Sequence, residues 1–191
     1  MDDLDKAAGE IMACRLCDLH LKRTFAVPGE GNKKAELMII GEAPGKFEDR
    51  AGRPFIGMSG KFLTGYLERV GIRREDVFIT NSVKCRPPEN RKPTMVEIEA
   101  CRPYLIRQLK VIKPKLVLAL GTSAANSLNM AYKQLNDIRG KVLRTSLDGA
   151  DFDVFVTFHP SFPMRFPSKR SAFIQDLKHV KEIIGDKNSI T

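Results

Sequence analysis

Residues 37–45 read Leu-Met-Ile-Ile-Gly-Glu-Ala-Pro-Gly, an apolar run that stops abruptly at a glycine-rich polar turn. The run does not alternate, so as a strand it must be covered on both faces, the mark of a parallel sheet rather than an antiparallel one with a wet face. Residues 77–80, 116–120 and 154–158 have the same character. Helical periodicity separates these four runs. Phe62, Leu63, Tyr66, Leu67 and Val70 share one helix face, with Ser59 placed to cap that helix and Gly71 to stop it. Thr122 opens a helix after Gly121, and Ile98, Cys101, Leu105 and Leu109 form one stripe in residues 94–111, where Pro103 is predicted to kink or restart the helix. Phe173, Ile174, Leu177, Val180 and Ile184 mark a last helix. Strands alternating with helices predict one α/β domain over residues 1–191, a three-layer α/β/α sandwich on a mostly parallel, four-stranded sheet, with a flexible tail from about residue 185.

Ligands of such sheets bind beyond the carboxyl ends of the strands. The residues that follow the four runs are Gly41-Glu42-Ala43-Pro44-Gly45, Asn81-Ser82, Gly121-Thr122-Ser123 and His159-Pro160-Ser161. Each has an ordinary reading alone, as a turn, a strand end or a polar residue beside proline. Together they bring a carboxylate, an amide and an imidazole to one sheet edge.

The chain holds four cysteines, Cys14 and Cys17 in a C-x-x-C pair and Cys85 and Cys101 in mid-chain. Four thiolates complete a tetrahedral zinc site or an iron-sulfur cluster, and spacing alone does not separate the two. Disulfides are disfavoured, because no charged-then-apolar leader opens the chain and the expected setting is intracellular and cytoplasmic, beside the chromosome. No stretch approaches the roughly 20 apolar residues of a membrane span. Lys and Arg outnumber Asp and Glu 32 to 23, for a net charge of +9 and a pI near 9.5. That balance suits a polyanion partner.

The segments GEAPGKFEDRAGRPFIGMSG at 41–60 and HPS at 159–161, with the cysteine pattern, resemble the iron-sulfur enzymes of uracil-DNA glycosylase family 4. The resemblance implies a monofunctional DNA repair enzyme that releases uracil and leaves an abasic site, with a structural [4Fe-4S] cluster on Cys14, Cys17, Cys85 and Cys101. It implies that His159 stabilises the departing base and Glu42 orients or activates the attacking water. Phe55 would stack on uracil, Asn81 would read its Watson-Crick edge, and backbone amides around Gly41 and Ala43 would serve the remaining acceptor. In the basic segment 159–170, Met164 is the favoured wedge over Phe162 and Pro163, and Ser161 and Arg165 would hold the DNA backbone. Arg86, with Arg91 and Lys92, would reach phosphates from the stretch between the third and fourth cysteines. The expected partner is uracil-containing DNA, met as a monomer and away from any membrane; no sliding-clamp motif is evident. The alternatives are a non-catalytic nucleic-acid-binding module with a four-cysteine zinc site, and a small-molecule enzyme using GEAPG as a phosphate cradle, which the acidic Glu42 disfavours.

Overall fold

The computed structural model describes residues 3–186. Its strands are β1 (Glu30–Gly31), β2 (Leu37–Gly41), β3 (Phe78–Asn81), β4 (Leu116–Leu120), β5 (Val142–Leu147) and β6 (Ala150–Thr157), in the spatial order β1-β3-β2-β4-β6-β5. The α-helices are α1 (Asp3–Ala13), α2 (Lys46–Ala51), α3 (Met58–Arg69), α4 (Met95–Ile112), α5 (Thr122–Ser127), α6 (Leu135–Ile138), α7 (Ser161–Arg165) and α8 (Arg170–Gly185).

The four continuous apolar runs are the four central strands, and they are parallel throughout. Their alternate side chains feed two cores. Met38, Ile40, Val117, Ala119, Val154 and Val156 pack toward α4 and α5, while Leu37, Ile39, Ile79, Leu118 and Phe155 pack toward α3 and α8. This is the expected α/β/α sandwich, but its sheet has six strands rather than four. The two additions are antiparallel edges: β1, which is two residues long, and β5, along which exposure alternates although residue type does not. The β5–β6 turn is Asp148-Gly149, both at positive φ, as a two-residue hairpin requires.

Three expectations about helices change. The helix expected to be capped by Ser59 begins at Met58 with Gly57 as its N-cap, because Gly57 is already held by a buried carboxylate described below. Helix α4 runs through Pro103 without a break, packed against α1 and α5, although the proline removes one backbone donor. The tail expected from about residue 185 lies outside the described residues beyond 186, and α8 itself reaches Gly185. Among the described residues no helix is long and apolar enough to cross a membrane.

A buried ion pair locks the end of β6 to α8. Arg139 donates to both carboxylate oxygens of Asp176, at 2.8 and 2.7 Å, and Thr157, the last residue of β6, donates to Oδ2 at 2.5 Å. Removing Asp176 leaves the buried Thr157 hydroxyl without its acceptor and a partly exposed Arg139 without its anion. We therefore expect Asp176→Ala to lower folding stability by about 2 kcal/mol in denaturant titrations, and a loss below about 0.5 kcal/mol would show that this pair does not secure the strand end.

Candidate active site

The carboxyl ends of the central strands open on one pocket, whose lining includes Glu42, Phe55, Asn81, Arg91, His159 and Ser161. Asn81, which lines it, ends β3 in register with Gly41, the last residue of β2. The Ser82 amide and hydroxyl both donate to the Gly41 carbonyl, at 2.9 and 2.7 Å, and clamp the two strand ends together. A Cβ on Gly41 would lie 2.3 Å from Phe55 Cζ and 2.5 Å from Asn81 Oδ1, so only glycine leaves room for both groups. Asn81 Oδ1 is itself buried and without a hydrogen-bond partner among the described residues. A buried acceptor left unpaired is costly, and here it belongs to a residue lining the pocket.

Phe55 sits at φ 52°, a left-handed conformation that an aromatic residue keeps only where its surroundings impose it. Arg74 donates to the carbonyls of Pro54 and Phe55, at 2.7 and 3.4 Å, and is itself paired with Glu30 at 2.9 Å. On the other side, buried Glu48 accepts the amides of Ile56 and Gly57, at 3.0 and 2.7 Å, and that of Gly45 at 3.1 Å. One cation and one anion thus fix the peptides flanking Phe55. Gly60 lies beneath them, where a Cβ would fall 1.9 Å from the Phe55 carbonyl oxygen.

His159 packs on Gly121, which has φ +84° and whose added Cβ would be 3.1 Å from His159 Cβ. The His159 Nδ1 atom is 3.3 Å from the Ser161 amide and 2.8 Å from its hydroxyl. A backbone amide only donates, so Nδ1 accepts and the neutral ring carries its proton on Nε2. Burial pushes the imidazole below its ordinary pKa, the charge of Glu42 opposes that shift, and Lys92 reinforces it. The Glu42 carboxylate accepts a 2.6 Å hydrogen bond from Ser123. The ring of Phe55 is 6.2 Å from that of His159.

Of the residues expected to face DNA, Ser161 and Arg91 line the pocket. The segment after His159 folds into α7, where Arg165 is exposed, Met164 half-buried and Pro163 buried. Phe162 is 37% exposed in a ring stack with Phe158 and Phe166. The Ser161 hydroxyl engages His159. Arg86 donates to Asn90, and Arg91 forms a two-point pair with Glu97, at 2.8 and 2.6 Å.

All four cysteines are free and share one microenvironment. Cys85 and Cys101 are buried with Ile11, Leu19, Val83 and Ile98, and Cys17, Ala43 and Tyr104 pack against that group. Cys14 is close enough for its charge to act on Cys17 and Cys85. Burial pushes the Cys17, Cys85 and Cys101 thiols up, Cys101 to about 11. N–H donors nevertheless point at three of the sulfurs: Leu16 at Cys14 (3.5 Å), Arg23 at Cys85 (2.9 Å) and Lys84 at Cys101 (3.3 Å). Among the described residues no group of three or more His, Cys, Asp and Glu side chains is arranged to hold a metal ion. The donor chemistry, four sulfurs in an apolar shell with N–H groups aimed at them, fits a thiolate-bound cluster.

The sequence model of the uracil DNA glycosylase superfamily matches residues 28–181. The chain belongs to this superfamily, in its type-4 branch. It is 44% identical to the type-4 uracil-DNA glycosylase of Archaeoglobus fulgidus, over 98% of this chain and 96% of the relative. It is 47% identical to the type-4 enzyme of Pyrobaculum aerophilum, over 92% of this chain and 91% of that one, and 42% identical to that of Thermotoga maritima, over 91% of each.

In this type-4 glycosylase, Ser123 is one of the strand-end residues named from sequence, whereas Glu48, Glu30, Arg74 and Gly60 shape the site without a role assigned from sequence. Glu48 alone had a signal, standing three residues after Gly45 at the spacing by which a carboxylate reaches back to a helix start. Two outcomes follow. Gly60→Ala must displace the Phe55 carbonyl, so a loss of catalytic efficiency of roughly tenfold or more is expected, the scale of a fraction-of-an-ångström misplacement; steady-state kinetics at the wild-type level would contradict the clamp. The His159 ring, followed by NMR, should titrate below about 6.5. Stability that depends on its neutrality is then complete above that pH and is lost as pH falls through the lowered pKa. A midpoint above about 6.5 would contradict the neutral assignment.

Proposed function

We propose that the protein hydrolyses the N-glycosidic bond of uracil in DNA, releasing the free base and leaving an abasic site, without a lyase step. The observation that carries this reading is the buried, unpaired Asn81 Oδ1 at a pocket shared with Phe55 and His159. Uracil offers an N3–H donor beside the O4 acceptor. Asn81 would accept the first through Oδ1 and donate to the second through its amino group. Cytosine presents the opposite pattern at both atoms, and a buried polar site rejects such a mismatch by factors on the order of 10⁴. The base reaches the pocket only when flipped from the stack, with Phe55 covering its ring.

As the C1′–N1 bond breaks, its electron pair leaves with uracil and negative charge grows on O2. Neutral His159 answers with its Nε2 proton, a donor already oriented by Ser161. The sugar becomes cationic. Glu42, held by Ser123, orients a water toward C1′, accepts its proton as the new C–O bond forms, and favours the cation by its charge. Lys84, behind Asn81, has its amine engaged in three hydrogen bonds, and Lys46, which lines the pocket, has no catalytic role in the motif the chain resembles, which supports hydrolysis over Schiff-base chemistry.

Cys14, Cys17, Cys85 and Cys101 would hold a [4Fe-4S] cluster that supplies structural cross-linking when bound. Arg165 and Arg86 would contact phosphates, and Met164 with Phe162 would fill the gap left by the flipped base.

The test is release of free uracil from a U:G duplex by the wild-type protein, with His159→Ala and Glu42→Ala in parallel. Each substitution is expected to cost about 10²-fold or more in rate while absorption near about 400 nm is retained. An inactive wild type with an intact absorption band and demonstrable DNA binding would reject uracil as the substrate.

A further inference from the structure

Lys84 is among the largest fully buried side chains of the molecule, with 1% of its surface exposed. Burying an amine is costly, and an apolar side chain of similar length would fill the same space without that cost. Its Nζ donates to Thr80 Oγ1 at 2.6 Å, to the Asn81 carbonyl at 2.9 Å and to Gln108 Oε1 at 2.8 Å. None of these acceptors is a carboxylate. Thr80 Oγ1 and Gln108 Nε2 both donate onward to the Pro28 carbonyl, at 2.9 and 2.7 Å. The backbone of Lys84 is equally committed, its amide to Cys101 Sγ at 3.3 Å and its carbonyl to the Val27 amide at 2.7 Å.

These bonds converge on the peptide from which the Asn81 side chain departs. Asn81 Oδ1 has no partner of its own to aim it. Its direction is therefore set by what fixes the backbone: the register of Asn81 with Gly41, the clamp of Ser82, and the ammonium on the Asn81 carbonyl. The first two secure the strand ends to each other. Lys84 alone of the three ties the Asn81 carbonyl to the layer behind the pocket, through α4 and the Pro28 loop.

We propose that Lys84 is a positioning residue for base recognition, its buried ammonium holding the Asn81 peptide so that the carboxamide stays aimed into the pocket. The inference rests on the reading of Asn81 as the group that recognises uracil.

The test is a double-mutant cycle on the cluster-loaded protein, with wild type, Lys84→Met, Asn81→Ala and the double variant. The readouts are kcat and KM for a uracil-containing oligonucleotide and inhibition by free uracil. Lys84→Met is expected to weaken free-uracil inhibition and raise KM about tenfold, the scale of a lost hydrogen bond to a charged group, with a smaller change in kcat. On the Asn81→Ala background the same substitution should change these values by less than about twofold, because its effect passes through Asn81. Equal losses on both backgrounds would assign Lys84 a purely structural role and overturn the proposal. If Asn81→Ala alone leaves uracil inhibition unchanged, the uracil-recognition reading falls, and the proposal with it. If Lys84→Met does not fold, judged by circular dichroism and absorption, Thr80→Val takes its place in the cycle. It removes one of the three anchors of the ammonium, and the same non-additivity with Asn81→Ala is required.

Discussion

The pairing of Gly41 with Asn81 is the constraint on which the site depends. Parallel strands whose carboxyl ends stop in register leave their next residues side by side, and the fold supplies no other reason for Glu42 and Asn81 to meet. The double bond from Ser82 to the Gly41 carbonyl prevents the two ends from splaying. Glycine at position 41 is then imposed from two sides, by the Phe55 ring and by the Asn81 carboxamide. A register slip of one residue would turn the Asn81 side chain to the opposite face of the sheet. The continuous apolar character of β2, β3, β4 and β6 is thus also what aims the polar residues after them.

The pocket is held by charged groups whose partners are other groups of the protein. Glu30 with Arg74 and Glu48 with three amides fix the peptides around Phe55, and Asp176 with Arg139 fixes the end of β6. Such buried or half-buried charges add little net stability over apolar packing, but they are directional where dispersion is not. Phe55 illustrates the need, since a left-handed aromatic residue would relax if either flanking peptide were released. Against a net charge of +9, the carboxylate at the centre of the site is conspicuous. The positive exterior suits a phosphate backbone, and in the proposed reaction Glu42 would suit a developing sugar cation rather than the phosphates themselves.

The central sheet and the strand-end residues that line the pocket were legible in the sequence for one reason: both rest on local patterns. Continuous apolar runs identify doubly covered strands, and the residues that follow them identify the edge where ligands bind. The outer strands escaped for different reasons. Glu30–Gly31 is too short to carry a pattern, whereas β5 reads Val-Leu-Arg-Thr-Ser-Leu, without the alternation that marks a strand, and only the Asp148-Gly149 turn after it signals a hairpin. The supporting residues were not legible. Lys84 resembles any surface lysine, and Arg74 lies 19 residues from the Phe55 carbonyl it holds. Gly60 matters only because another segment crosses above it. Those identities are set by tertiary contacts, to which a one-dimensional pattern is blind.

The same geometry gives a physical reason for a cysteine site in an enzyme whose chemistry transfers no electron. The first two cysteines lie just beyond α1, the third follows the β3 strand end, and the fourth is on α4. A cluster on them would gather three separate segments behind the pocket, and Ala43 of the Glu42 loop packs on that layer. Arg23 strengthens the junction by bridging the Met12 carbonyl and Cys85 Sγ, at 2.8 and 2.9 Å. Apolar contacts alone would leave these loops free to slide, since dispersion has no preferred direction. A cross-link through fixed sulfur positions would remove that freedom, and the segment it would most directly immobilise, Ser82 to Cys85, begins at the residue whose amide and hydroxyl hold the Gly41 carbonyl.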